Sequence, residues 1–288
     1  MNNNNKKSTH SEAPILDSSL IVTTSIKPYN IKMIMCGDYC QLYFLKEKKI
    51  KRKKEDNFDL ELKKININKM FDDSKQKQKS PPTLTNNIQL KNITRSKLEC
   101  QRLAKANMKD WRTFITLTFA DNIQDIKSAN KRFRYFVDKV QRVKKDFKYL
   151  CITEFQKRGA VHYHLLCNAD INDKELIYKQ EDNPKFLHIK YWNDGFTSVE
   201  PMNSDSKKVV GYISKYMTKD IDNRLFNRHR YFYSRNLIKP IESYIDSNDS
   251  KDLNYYTKKI QGKELIYQSE YTNPYDNSKV TFLELLKK

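Results

Sequence analysis

The chain has 288 residues, enough for one sizeable core and a small additional element. Its 55 Lys and Arg against 35 Asp and Glu leave a formal charge of +20, which points to phosphate-bearing partners and salt-sensitive binding. Five cysteines with no C-x-x-C pair argue against a disulfide framework and against a structural zinc ribbon.

A Lys- and Asn-rich composition is also what an AT-rich genome produces, but here the charge is patchy. KEKKIKRKK at 46–54 is a solid basic block, and Lys139, Arg142, Lys144 and Lys145 crowd another stretch. The first twelve residues, MNNNNKKSTHSE, lack the apolar centre of a signal peptide, and no apolar run is long enough to cross a bilayer. The expectation is a soluble, cytoplasmic protein with no membrane partner.

In chain order, residues 1–30 read as a disordered polar tail. Residues 31–71 read as a small β-hairpin, over 31–46 with Gly37-Asp38 at its turn, and a basic segment. Residues 72–91 read as a linker in which Pro81-Pro82 forbids helix. The main domain is expected over 92–240, and 241–288 as a C-terminal extension.

Within the main domain a helix is expected at 93–109 and a strand at 112–119. That strand has Ile115, Leu117 and Phe119 on one face, with Thr116 and Thr118 on the other. A long amphipathic helix follows over 123–145, its buried stripe being Ile126, Ala129, Phe133, Phe136, Val137, Val140 and Val143. Strands at 149–155 and 160–167 come next, then a weaker helix near 173–179. Strand pieces hold His188 and residues 196–199 around an Asn193-Asp194-Gly195 turn. A helix over 204–219, capped by Ser204 or Asp205, precedes a possible last strand at 231–234. The pattern is α+β, with helices on one face of the sheet.

His162 and His164 are one residue apart within a strand, so both imidazoles share a face. Antiparallel pairing about a Lys157-Arg158-Gly159 turn puts Glu154 opposite His162, on that same face. Two histidines and one carboxylate converging on a point can hold a divalent ion with open positions. Those donors suit several ions, and phosphate substrates favour Mg2+ or Mn2+. Cys151 and Cys167 fall on the opposite face, as small core residues.

Tyr212 and Tyr216 lie four apart on one helix face, at the edge of a stripe formed by Val209, Val210, Ile213 and Met217. Lys208, Lys215 and Lys219 lie just beyond them. Helical tyrosines commonly serve as packing residues. Phenols between a packed stripe and a cationic one are also oriented and reachable, and nearby ammonium groups stabilise a phenolate. A metal beside two tyrosines suggests phosphodiester chemistry through a phosphotyrosine. His10, His188 and His229 are assigned no role, and Trp111 and Trp192 are expected in the core.

These motifs resemble the HUH endonucleases, specifically two-tyrosine rolling-circle replication initiators of small phages and plasmids. The resemblance rests on Phe114-Ile115-Thr116-Leu117-Thr118-Phe119, on Glu154 with His162-Tyr163-His164, and on Tyr212-x-x-Lys215-Tyr216-x-x-Lys219, in that order over residues 90–240. It implies an RRM-like (ferredoxin-like) antiparallel sheet with helices on one face and a metal site on the other. It also implies cleavage of single-stranded DNA at a replication origin, leaving a 5′-phosphotyrosine on Tyr212 or Tyr216 and a free 3′-hydroxyl that primes synthesis. Lys215 and Lys219 are read as phosphate-facing helpers. No G-x-x-x-x-G-K-[ST] string occurs, so a host helicase, together with a DNA polymerase, is the expected partner.

Two alternatives stay open. One is a transposase or relaxase with the same core, separable only by its DNA target. The other is a non-catalytic RRM-like domain that holds single-stranded nucleic acid. Such a domain should carry stacking aromatics on its exposed sheet face, whereas this face is expected to carry Glu154, His162, His164, Thr116 and Thr118.

Overall fold

A computed structural model describes residues 27–51, 82–181, 186–202, 209, 211, 215, 216, 230–273 and 277–288, for 82–92 the backbone alone. In chain order, β1 (Pro28–Cys36) and β2 (Tyr39–Ile50) are followed by α1 (Pro82–Ala106), β3 (Thr113–Phe119) and α2 (Ile126–Val143). Then come β4 (Tyr149–Phe155), β5 (Val161–Cys167), β6 (Ile177–Lys179), β7 (Leu187–Ile189), β8 (Gly195–Pro201) and β9 (Tyr231–Tyr233). The last elements are β10 (Ile241–Ile245), α3 (Ser250–Ile260), β11 (Lys263–Thr272) and β12 (Lys279–Lys287). No helix among the described residues is long and apolar enough to cross a membrane.

Two antiparallel sheets result. The larger has the order β6-β7-β8-β3-β5-β4-β9, with β3, β5 and β4 at its centre. Side chains alternate along these strands, and the two faces are covered by different helices. Asp125 caps α2 by accepting from the backbone N–H groups of Lys127 and Ser128. The stripe Ile126, Ala129, Phe133, Phe136, Val137 and Val140 then packs on Ile115, Leu117, Phe119, Cys151, Tyr163 and Leu165. Truncating one of these rings, Phe136 for example, costs about 3–5 kcal/mol by the usual scale for a buried aromatic. Val143, expected in the stripe, is 38% exposed, because α2 ends there.

The second face departs from expectation. Phe114, Leu150, Ile152 and Leu166 form its apolar half, and Cys100, Leu103 and Ala104 of α1 cover them together with Trp111. Helices therefore lie on both faces of the sheet. The reason is in the strands: β4 and β5 are apolar on both sides at their Leu150 and Leu166 ends, and such a face needs a cover.

Three more expectations are corrected. Helix α1 begins at Pro82, inside the expected linker. Proline is tolerated in a first turn, where the missing N–H has no intrahelical partner to lose. The segment expected as a helix near 173–179 is a turn leading into β6. There the Asp173 carboxylate accepts from the Glu175 N–H, and Ile177 pairs with Ile189 of β7. Pro28, Tyr29 and Asn30, placed in the disordered tail, are the start of β1; the rest of that tail up to residue 26 lies outside the described residues.

The hairpin expected at 31–46 forms, with Cys36 paired to Tyr39 across the Gly37-Asp38 turn. It does not stand alone. It occupies the centre of the second sheet, order β10-β1-β2-β12-β11, so the two ends of the chain fold together. Helix α1 also ties this sheet to the first. Ala106 packs against Ile34, Cys36 and Tyr39, Lys105 pairs with Glu284, and Arg102 donates to Gln41 and Tyr43. Part of the basic block is used here as well: Lys48 pairs with Asp246, and Lys51 lies 4.3 Å from the Tyr244 ring centre.

Candidate active site

The β4–β5 hairpin sets the site. Gly159 has φ 91°, a conformation that favours glycine, and Gln156 N–H donates to Ala160 O to close the turn. This gives the register Glu154↔His162 and Ile152↔His164, as the alternation expects. On the other side of β5, His162 faces Thr118 and His164 faces Thr116. Arg158 at the turn donates to Phe119 O at 2.7 Å, fastening the hairpin to the end of β3.

Glu154, His162 and His164 are buried, with 7%, 8% and 5% exposure. His164 Nε2 lies 2.8 Å from Glu154 Oε2, and its Nδ1 lies 3.1 Å from Thr116 Oγ1. An ionised carboxylate only accepts, so Nε2–H donates to Glu154. In the neutral ring Nδ1 then accepts from the Thr116 hydroxyl. Both ring nitrogens are thereby held, and the ring plane is set. The His162 ring centre is 6.1 Å from that of His164, with the planes at 63°. The three side chains are of the right chemistry for a divalent ion. As they stand, Glu154 and His164 bond to each other, and among the described residues no three His, Cys, Asp or Glu are gathered in metal-ligating geometry.

Tyr216 completes the cluster. Its ring lies 3.8 Å from the His164 ring, planes 22° apart, and also stacks on Phe114 at 5.6 Å. Phe114 in turn is nearly parallel to His164, at 8°. The phenol is half-buried and helical, and the exposed Lys215 beside it has Nζ 5.1 Å from its ring centre. A cleft of 530 Å³ is lined by Glu154, His162, His164 and Tyr216 with Lys157, Arg158 and Lys215. Three cations thus rim a site that holds a carboxylate. Tyr212 and Lys219 lie outside the described residues, as do Ser204, Asp205, Lys208, Val210, Ile213 and Met217.

The neighbouring tyrosines are placed differently. Tyr163, between the two histidines in sequence, points to the opposite face. Its hydroxyl donates to Asn130 at 2.7 Å, and burial pushes its pKa far up. Burial also pushes Tyr149 up to about 12. The cysteines are all free and buried.

Sequence reasoning passed over Phe114, Lys157 and Arg158 as site residues. Phe114 was detectable: it has the same parity as Thr116 in FITLTF, which places it on the histidine face. The two turn cations carry no periodic signal.

Known proteins bear on this region. Residues 112–221 match the family model of the replication-associated protein ORF2. A curated relative, the Phasyl DNA replicon protein arp of Escherichia coli, is 31% identical over 127 residues, which is 38% of this chain and 44% of the relative. The match thus spans less than half the relative's length. No solved structure matches the chain significantly. The family match takes in the FITLTF strand, the β4–β5 hairpin and the segment with Tyr212 and Tyr216. Over residues 112–221 the chain is therefore a replication-associated domain of that family, in line with its resemblance to replication initiators of phage and plasmid type.

Proposed function

We propose that the chain initiates rolling-circle replication by nicking single-stranded origin DNA with a tyrosine nucleophile, and that it later rejoins the strand. The observation that carries this reading is the stack of Tyr216 on His164, beside Glu154 and under a rim of three cations. The phenolic oxygen of Tyr216 or Tyr212 attacks the scissile phosphorus, and the bond to the 3′ oxygen breaks. The phenol gives up its proton, and the leaving oxygen gains one to become a 3′-hydroxyl. The product is a 5′-phosphotyrosine that keeps the energy of the broken diester, so reversal by a 3′-hydroxyl needs no ATP.

Glu154, His162 and His164 would hold Mg2+ or Mn2+ once the Glu154–His164 bond opens, and the ion would polarise the phosphate when bound. Thr116 keeps the His164 ring oriented from its second nitrogen. Lys215, with Lys219 one turn on, offers positive charge where negative charge builds on the phosphate oxygens. A host helicase and a DNA polymerase are the partners such an initiator needs.

The test is incubation of purified protein with candidate single-stranded origin DNA and Mn2+ or Mg2+, scored for a denaturation-resistant protein–DNA adduct. Saturable DNA binding without any adduct, whatever the metal, would leave a non-catalytic binder as the better reading.

A further inference from the structure

The site face continues past the histidines onto β8. Strand register runs Glu154↔His162, His162↔Thr118 and Thr118↔Phe196, so these four residues form one row across the sheet, all on the same face. The row passes from a buried carboxylate and imidazole to a ring that is 69% exposed. Adjacent strands lie about 4.8 Å apart, which puts Phe196 about 10 Å from His162 along the row. Ser198 and Glu200, on the same face of β8, are also exposed, so α1 leaves this part of the sheet open.

A single exposed aromatic needs no explanation by itself. Here the backbone under it is built to hold it still. A Cβ at Gly195 would meet Thr118 O and Ala120 N at 2.3 Å, so only glycine allows the turn to press this closely against β3. Ala120 N–H donates to Asp194 O, the Asp194 carboxylate accepts from Arg132 at 2.6 Å, and Trp192 Nε1–H donates to Thr118 O. The ring therefore projects from a fixed frame at one end of the row, with Lys157, Arg158 and Lys215 around the other.

We infer that Phe196 is a stacking platform for an unpaired nucleobase flanking the phosphate held at the His162–Glu154 end of the row. A strand whose phosphate sits among the three cations can lay a nearby base on the ring, because any base offers a π-face. The inference rests on the single-stranded DNA reading above. It adds the place where the substrate is gripped without its backbone.

The experiment measures binding rather than cleavage, on the Tyr212→Phe/Tyr216→Phe protein so that no covalent adduct forms. Its probe is a fluorescein-labelled single-stranded oligonucleotide, followed by anisotropy. Phe196→Ala should weaken binding about fivefold to a hundredfold, the range for loss of one base–aromatic stack. Phe196→Leu should weaken it similarly, while Phe196→Tyr should retain it. Replacing the stacked base by a single abasic site should abolish the difference between the parent and the Phe196→Ala protein at one position of the oligonucleotide. Equal affinities for all four proteins would overturn the platform while leaving the nicking reading intact. Failure of the parent protein to bind any single strand would overturn both.

Discussion

The His164 imidazole and the Tyr216 phenol lie face to face, ring centres 3.8 Å apart. His164 is fixed in its plane by Glu154 at one nitrogen and Thr116 at the other, so the stack fixes Tyr216 in turn. A tyrosine on a helix is ordinarily free to swing between rotamers. This one is set against a carboxylate–imidazole pair before any substrate arrives, which lowers the cost of ordering it for reaction.

Tyr216→Phe keeps the ring and its stack and removes only the hydroxyl. Folding stability should change by less than about 1 kcal/mol, the usual worth of one hydrogen bond. The covalent adduct should fall to what Tyr212 supplies, and Tyr212→Phe/Tyr216→Phe should give none. Peptide mass spectrometry of the adduct reads the outcome. A nucleotide on Tyr163 or Tyr149 would overturn the assignment, since both phenols are held protonated by burial.

His162→Ala or His164→Ala should abolish cleavage while leaving binding to duplex DNA through the basic surface intact, and EDTA should act in the same way on the parent protein. Gel-resolved adduct formation with and without added Mn2+ measures this. Full nicking in EDTA by the doubly substituted protein would dismiss the metal.

Stability should fall as the solution becomes alkaline. Burial raises the thiols of Cys36 to about 12, and of Cys40 and Cys167 to about 11, from an ordinary 9.0. A raised folded pKa means that the native state holds its proton more tightly than the unfolded one. The stabilisation is complete below pH 9 and is lost as the pH climbs from there toward the folded values. Each such group steepens the loss by about 1.4 kcal/mol per pH unit once its unfolded form is ionised. Urea unfolding from pH 7 to 10.5 should show the decline, and Cys40→Ala should make it shallower.

The site was legible in the chain because it is built on local rules. A two-residue period, a three-residue turn and one glycine are enough to set Glu154 opposite His162. The second sheet was not. Its central hairpin near residue 40 is flanked by strands more than 200 residues on, and nothing in the pattern of either segment names its partner. The cover over the histidine face was hidden for a similar reason. Reading β5 by its odd positions identified one apolar face, but Leu166 and Leu150 make half of the other face apolar too, and that half recruits α1.

The junction between the sheets gives a stability prediction of its own. Lys105 and Glu284 form an ion pair whose side chains are only 9% and 13% exposed, and Glu284 also accepts from Gln41. Lys105→Ala leaves a carboxylate buried beside α1 with its cation gone. The expected cost is about 3–5 kcal/mol, the scale for breaking one partner from a buried pair. Replacing both, as Lys105→Met with Glu284→Leu, removes the charge instead of stranding it and should restore most of the loss. Urea melts of the three proteins measure both effects. If Lys105→Ala unfolds like the parent, the pair does not join α1 to the second sheet.

Lys215 tests the chemistry most directly. Its ammonium group is exposed and lies over the edge of the cleft, 5.1 Å from the Tyr216 ring centre. Charge grows on the phosphate oxygens as the phenol attacks, so a fixed cation there stabilises the transition state more than the bound substrate. Lys215→Ala should slow single-turnover cleavage about ten- to a thousandfold, by analogy with loss of one electrostatic stabiliser. Affinity should drop by much less, because Lys157 and Arg158 still rim the cleft. Most surface lysines only solvate their helix, and on that account the rate at saturating protein would equal the parent's, with at most a weaker salt-dependent affinity. Lys215→Arg separates charge from shape, since it restores the charge on a longer side chain and should recover part of the rate. An unchanged rate in Lys215→Ala would return this residue to the solvated surface and leave Tyr216 to be activated by the rest of the cleft.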